Sequence, residues 1–257
     1  MISGYPIWVV LLIGLGVFCA SFVDAIGGGG GIISLPVYLL AGLPTHYALG
    51  TNKMSACLGT MASTFRYVKN KCVDWGLAIP SIVIALMGAH IGTSLQIVAD
   101  EQYLKYMLLI VLPVVAVVLL KQKSFPEEPG VISPWKQRSI VWGASLVIGM
   151  YDGFYGPGTG TFLLLVFCNL AKMDLRTASG NVKIVNVASG AGALITSAMA
   201  GKVIAPIGLI ATAFSLVGHY LGAGMTLKNG SKAVRPVIFI VLTLLAVKVV
   251  LELIAAQ

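Results

Sequence analysis

Ten apolar runs divided by short polar breaks occupy most of this 257-residue chain. Eight are long: Ile7–Val23, Ala48–Tyr67, Trp75–Val98, Tyr103–Leu120, Ile140–Tyr151, Ala178–Ala200, Val203–Leu227 and Pro236–Leu253. Several reach the roughly 20 residues that a helix needs to cross a bilayer. Two shorter runs, Ile32–Ala41 and Thr161–Leu170, each follow a glycine cluster. At about 1.5 Å per residue they are short for a full crossing. Charged residues make up 10% of the chain, against about 25% in soluble domains. That is too few to cover a globular surface in water. The expected class is therefore an all-α integral membrane protein. Ile7–Val23 has no basic stretch before it and reads as a retained first helix rather than a cleaved leader.

The chain also repeats itself. Asp24-Ala-Ile-Gly-Gly-Gly-Gly-Gly matches Asp152-Gly-Phe-Tyr-Gly-Pro-Gly-Thr-Gly, and Gly50-Thr-Asn-Lys53 returns more loosely as Ser179-Gly-Asn-Val-Lys183. "GAHIGTSL" from Gly88 matches "GHYLGAGM" from Gly218. The three matches are collinear and half a chain apart, as in an internal duplication. The formal net charge of +8 sits mostly between apolar segments, where it records orientation rather than nucleic-acid binding. Arg66, Lys69 and Lys71 in one loop, Lys121, Lys123, Lys136 and Arg138 in the centre, and Lys228, Lys232 and Arg235 near the end favour the cytoplasm, despite Glu127 and Glu128 in the centre. Asp100 and Glu101 favour the outside. Asp100 and Asn229 hold equivalent places in the two halves, so the halves point opposite ways. The expectation is two homologous inverted-topology repeats with about eight full transmembrane helices plus two short Gly-linked half-length segments. Repeat one covers 1–125, a cytoplasmic linker 126–138, and repeat two 139–257. Whether the short segments cross or re-enter stays open.

The glycines do not spell a nucleotide site. A Walker loop needs a lysine and a hydroxyl residue after its last glycine, but here Ile32 and Ile33 follow. A dinucleotide loop needs a βαβ unit around it. In a membrane, bare backbone is tolerated only when buried or facing a cavity. A helix that starts there presents unpaired N–H groups and a positive dipole end to an anion. Gly28, Gly29, Gly30, Gly156 and Gly158 are thus candidate anion contacts. The alternative is that they permit a tight turn and close helix packing.

At these residues the chain resembles a known family. Asp24–Pro36, the following "AGLPTHYALGTNKMSA" (Ala41–Ala56) and "YDGFYGPGTGTF" (Tyr151–Phe162) resemble the TauE/SafE sulfite exporter family, the last stretch its YfcA-like branch. The resemblance implies a bacterial inner-membrane permease for sulfite, sulfonates or other sulfur-containing anions.

Asp24, Lys53, Asp152 and Lys183 fall within or beside apolar runs. Buried charge of this kind marks a functional site or a structural ion pair. Inverted geometry pairs Asp24 with Lys183 and Asp152 with Lys53. In the functional reading the lysines bind the anion and the aspartates couple transport to protons. Asn52, Asn181 and Asn186 could donate to an oxyanion, and Thr51 and Ser55 add hydroxyls. Tyr151 and Tyr155 flank the second loop, and at least one of them reads as an interfacial anchor. His90 and His219 lie in Gly-xxx-Gly segments and read first as packed neutral rings. The four cysteines show no Cys-x-x-Cys spacing and read as small core fillers. No metal or cofactor motif is present in the sequence. The leading function is a secondary transporter for small anions in contact with membrane lipid. An anion channel is the first rival. An intramembrane hydrolase built on Gly92-Thr93-Ser94 and His219 is the remote one.

Overall fold

In the computed structural model, residues 1–100, 128–230 and 232 are described. The expected crossings Tyr103–Leu120 and Pro236–Leu253, and the charges at Glu101, Lys121, Lys123, Glu127 and Arg235, lie outside them. The described residues are helical, with no strand among them. The helices are α1 (Ile7–Gly27), α2 (Gly31–Leu40), α3 (Thr45–Lys69), α4 (Trp75–Val98), α5 (Pro134–Phe154), α6 (Thr159–Leu165), α7 (Leu175–Met199) and α8 (Ala205–Asn229). A π-helical turn, Val166–Leu170, extends α6.

Local chemistry sets the boundaries. Asp74 caps α4 by accepting from Gly76 N at 2.9 Å, and Asp174 caps α7 by accepting from Arg176 N and Thr177 N at 3.0 Å. Ser133 caps α5 and Pro134 opens it. Gly28 and Gly29 end α1 with φ of 77° and 87°, a conformation that costs other L-residues strain. Gly156 and Gly158, at 98° and 87°, do the same after α5.

Four helices, α1, α4, α7 and α8, are long and apolar enough to cross a membrane. The exposed faces of α1 and α4 carry Ile7, Trp8, Leu11 and Leu12, and Ile79, Val83 and Met87. An apolar exterior costs nothing in a bilayer. The expected runs Ala48–Tyr67 and Ile140–Tyr151 do form long helices, α3 and α5. They are less apolar because α3 turns a polar stripe inward and α5 begins in Trp135-Lys136-Gln137-Arg138.

Both short helices double back. Tyr5 Oη at the start of α1 donates to Gly42 O just past α2, and Gln137 Nε2 near the start of α5 donates to Ala171 O just past the π-turn. Each short helix therefore returns to the end from which its long partner began.

Helix α8 packs between α1 and α3, and α4 packs between α5 and α7. Consecutive α3 and α4 make little contact. The Gly-xxx-Gly pairs form these seams. A methyl added to Gly88 would meet Leu146 O at 2.5 Å, and one on Gly218 would meet Phe18 O at 2.5 Å. Gly92 and Gly222 abut the backbone of Met150 and Phe22 in the same way. Among the cysteines, Cys57, Cys72 and Cys168 are buried.

Candidate functional site

Helices α3 and α7 run antiparallel through the centre. Gly50, early in α3, packs on Lys202 beyond the end of α7, and Gly180, early in α7, packs on Cys72 beyond the end of α3. Lys53 and Lys183 are each eight residues into a 25-residue helix. At 1.5 Å per residue they stand about 12 Å from opposite ends of the bundle.

Each lysine reaches across to the broken helix of the other half. Lys53 Nζ meets Asp152 Oδ1 at 2.8 Å and also donates to the Asp152 carbonyl. Lys183 Nζ meets Asp24 Oδ2 at 2.8 Å and the Asp24 carbonyl at 2.6 Å. These are the crossed pairs expected from inverted geometry. The remaining carboxylate valence is filled too. Asp24 Oδ1 accepts from Gly30 N at 3.0 Å. Asp152 Oδ1 accepts from Thr159 Oγ1 at 3.0 Å, and Oδ2 from Ser189 Oγ at 2.7 Å. Such saturation is what makes a buried pair tolerable.

The two glycine breaks touch. Gly28 lies against the backbone of Gly160 and Thr161, Gly31 lies against Pro157, and Thr161 Oγ1 donates to Gly27 O at 2.9 Å. Beside this contact lies a cavity of about 70 Å³, room for several waters or one small anion. Of the residues singled out from sequence, Asp24, Gly30, Asn52, Lys53, Ser55, Asp152, Gly156, Gly158 and Asn186 border it. Gly28, Gly29, Thr51, Asn181 and Lys183 do not.

Each of those has another employment. Gly28 and Gly29 make the turn. Thr51 Oγ1 accepts from Ile204 N at 3.0 Å, tying α3 to the start of α8. Lys183 stands behind Asp24. Asn181 precedes its lysine by two residues where Asn52 precedes by one, which rotates it by a further 100° or so around the helix. Its Nδ2 bonds Thr177 O at 2.9 Å instead. The anion-cradle reading of α2 also changes, because Asp24 takes the Gly30 N–H. Tyr151 and Tyr155 are not interfacial anchors. Tyr155 is buried, and Tyr151 Oη braces the loop by donating to Pro157 O at 2.6 Å.

Sequence reasoning undervalued the hydroxyls. Ser55, Thr60 and Ser63 follow Asn52 at helical spacing on α3, a polar stripe that was visible in the sequence. Thr60 borders the cavity opposite His219 of α8, which was read first as packing. Ser94 and His219 do not form a hydrolytic pair. Ser94 is exposed on α4, whereas the His219 ring lies between Thr60 and Ser63. Among the described residues, no cluster of three or more His, Cys, Asp or Glu is placed to hold a metal.

Two polar atoms at the cavity lack partners: Asn52 Oδ1 and Asn186 Oδ1 are buried and unbonded. Native proteins rarely leave such atoms bare. An amide that turns over offers its NH₂ to an oxyanion instead.

The family description "Sulfite exporter TauE/SafE" matches residues 12–249, nearly the whole chain. The chain belongs to the sulfite exporter TauE/SafE family. Relatives span its length. A "Probable membrane transporter protein" of Haemophilus influenzae is 30% identical over 91% of this chain and 92% of its own. The "Probable membrane transporter protein YfcA" of Escherichia coli K12 is 30% identical over 91% and 86%. "Probable membrane transporter protein ORF9" of a Sinorhizobium species is 32% identical over 91% and 90%. No solved structure matches. With its apolar helices, this TauE/SafE member is a multi-pass membrane transporter.

Proposed function

We propose that the chain is a secondary transporter of the bacterial inner membrane that carries small sulfur-containing oxyanions through the central cavity. Sulfite, thiosulfate and organosulfonates are the substrates first in line. The observation that carries this reading is the pair of crossed Lys–Asp bridges around a hydroxyl- and amide-lined cavity where two helix breaks meet. The sulfur chemistry comes from the family description. The crossed packing of α4 and α8, with lysines at matching depth in antiparallel α3 and α7, supports inverted repeats (1–125 and 139–257, joined by 126–138). In such transporters a midplane site at the repeat interface opens to each side in turn as one body rocks against the other.

Purified protein should be screened by thermal unfolding against sulfite, thiosulfate, methanesulfonate and succinate. A ligand of the folded state raises stability by about 2.7 kcal/mol at a hundredfold excess over Kd. The anion that stabilises should then show saturable counterflow in proteoliposomes. Flux without saturation or counterflow makes the protein a channel. No stabilisation and no flux with any of the four removes the sulfur-oxyanion reading.

A further inference from the structure

Proton counting around His219 leads beyond this reading while resting on it. The ring is buried and borders the cavity. Its Nε2 lies 3.3 Å from Thr60 Oγ1, and its Nδ1 lies 3.4 Å from Ser63 Oγ. Each hydroxyl owns one proton. Thr60 donates its proton to Ala56 O at 2.7 Å, and Ser63 donates to Thr60 O at 2.9 Å. Both hydroxyls therefore show lone pairs to the ring. Two flanking acceptors match an imidazolium, which has two N–H donors. A neutral ring would set one nitrogen lone pair against an oxygen lone pair. A single rotation cures that mismatch. Thr60 O also accepts from Thr64 Oγ1 at 2.9 Å, so Ser63 can turn its proton to Nδ1 without stranding that carbonyl. The pocket is thus built to hold the ring in either state, the neutral one carrying its proton on Nε2.

Charge around the cavity gives the exchange a purpose. Facing the ring are Asp24 from α1 and Lys183 from α7, which cancel each other. From α3 come Thr60 and Ser63, with Lys53 and the Cys57 thiol further along the cavity wall. Lys53 is cancelled by Asp152. On α3 and α8 the next cation, Arg66, is spent on Tyr220, donating to its carbonyl at 2.8 Å and lying over its ring. With His219 neutral the bridges leave the wall without net charge. With His219 charged it carries one positive charge, matching one anionic charge.

We propose that His219 is the proton-binding site of the transport cavity, and that one proton taken up there accompanies each monoanion carried. Anion and proton then bind cooperatively, each raising the affinity for the other by the same factor.

Two measurements test this, and the first needs no substrate. The chain has three histidines. In protein labelled with ¹⁵N-histidine, the His219 signals are those missing from His219→Gln. As the pH is lowered from about 8 they should pass from one protonated nitrogen to two, with Nε2 protonated in both states. A ring held in one state throughout overturns the proposal. The second measurement uses methanesulfonate, which stays ionised over this range, in proteoliposomes. Wild type should accumulate it about tenfold per unit of inward-directed pH difference, the ratio for one proton per monoanion. His219→Gln should lose pH-driven accumulation, and its counterflow should need more anion, because proton and anion bind cooperatively. Wild-type accumulation by His219→Gln overturns the proposal. If that variant also loses counterflow, the Thr60→Val, Ser63→Ala double variant decides. It keeps the ring but removes both acceptors, so its pH profile must move toward acid. An unmoved profile overturns the proposal. Absence of counterflow for every anion tested defeats the transporter reading instead, and the nitrogen signals still judge His219.

Discussion

A lysine buried against a carboxylate and a carbonyl is held by both, but only the carboxylate cancels its charge. Asp152→Asn keeps the shape and removes that charge. It should destabilise the protein by about 3–5 kcal/mol, the usual result of stranding one member of a buried pair. Denaturant unfolding in detergent measures this. Adding Lys53→Met should restore most of the loss, since no bare charge remains. A double variant no more stable than the single one would mean that the cost lies in the Thr159 and Ser189 hydroxyls, which donate to the same carboxylate. Asparagines make the second test at this scale. Asn52→Ala should weaken binding of the stabilising anion by about 1–3 kcal/mol, read by calorimetry, while Asn181→Ala should leave it unchanged. Equal losses in both would return Asn181 to the site. The two asparagines looked equivalent in sequence because their motifs align. They differ in place because one inserted residue swings a helical side chain by about 100°. Pairing of Asp24 with Lys183, by contrast, was legible, since charge alone demanded a partner and inverted symmetry named it.

Whole elements show the same division. The seams of α4 on α5 and α8 on α1 were readable as Gly-xxx-Gly segments, because only hydrogen lets two helix backbones approach so closely. Gly88→Leu and Gly218→Leu should each lower the unfolding midpoint sharply, their new side chains meeting Leu146 O and Phe18 O. Gly143 lies within α5 with nothing within 4 Å of an added methyl. Gly143→Ala should therefore be neutral or stabilise by up to about 1 kcal/mol. Similar losses at all three positions would mean that contact with the facing backbone does not set the effect. The π-turn at Val166–Leu170 was not legible. Its five residues are apolar apart from Asn169, and nothing in their spacing departs from an ordinary helix. The polar stripe of α3 was legible in spacing but was passed over, because Ser and Thr are common helix-packing residues in membranes.

At the scale of the molecule, Arg66 on Tyr220 and Arg176 on Leu227 O place the ends of α3 and α8 beside the start of α7. Cysteines introduced at Asn70 and Asn229 should accordingly label from the same side, and one at Gly201 from the other. Cys19 is exposed and should be replaced by serine to keep the native background low. Cys57, Cys72 and Cys168 are buried, and burial pushes the Cys72 thiol up against the opposing pull of Arg176, keeping it protonated and unreactive. Labelling of positions 70 and 229 from opposite sides would break the arrangement. Loop charge leads from the sequence to an expectation of opposed halves, but nothing in it names the exchange of fourth helices, because apolar periodicity says which residues are buried and nothing about which helix buries them. That exchange bears on how the polypeptide is made. Synthesis delivers α1 and α3 to the membrane long before α8, the helix that lies between them. Until then, Ser21 of α1 waits for Ser215 of α8, 2.6 Å away in the finished fold. A chain that stops short of α8 therefore leaves Ser21 and the polar stripe of α3 without the helix that covers them.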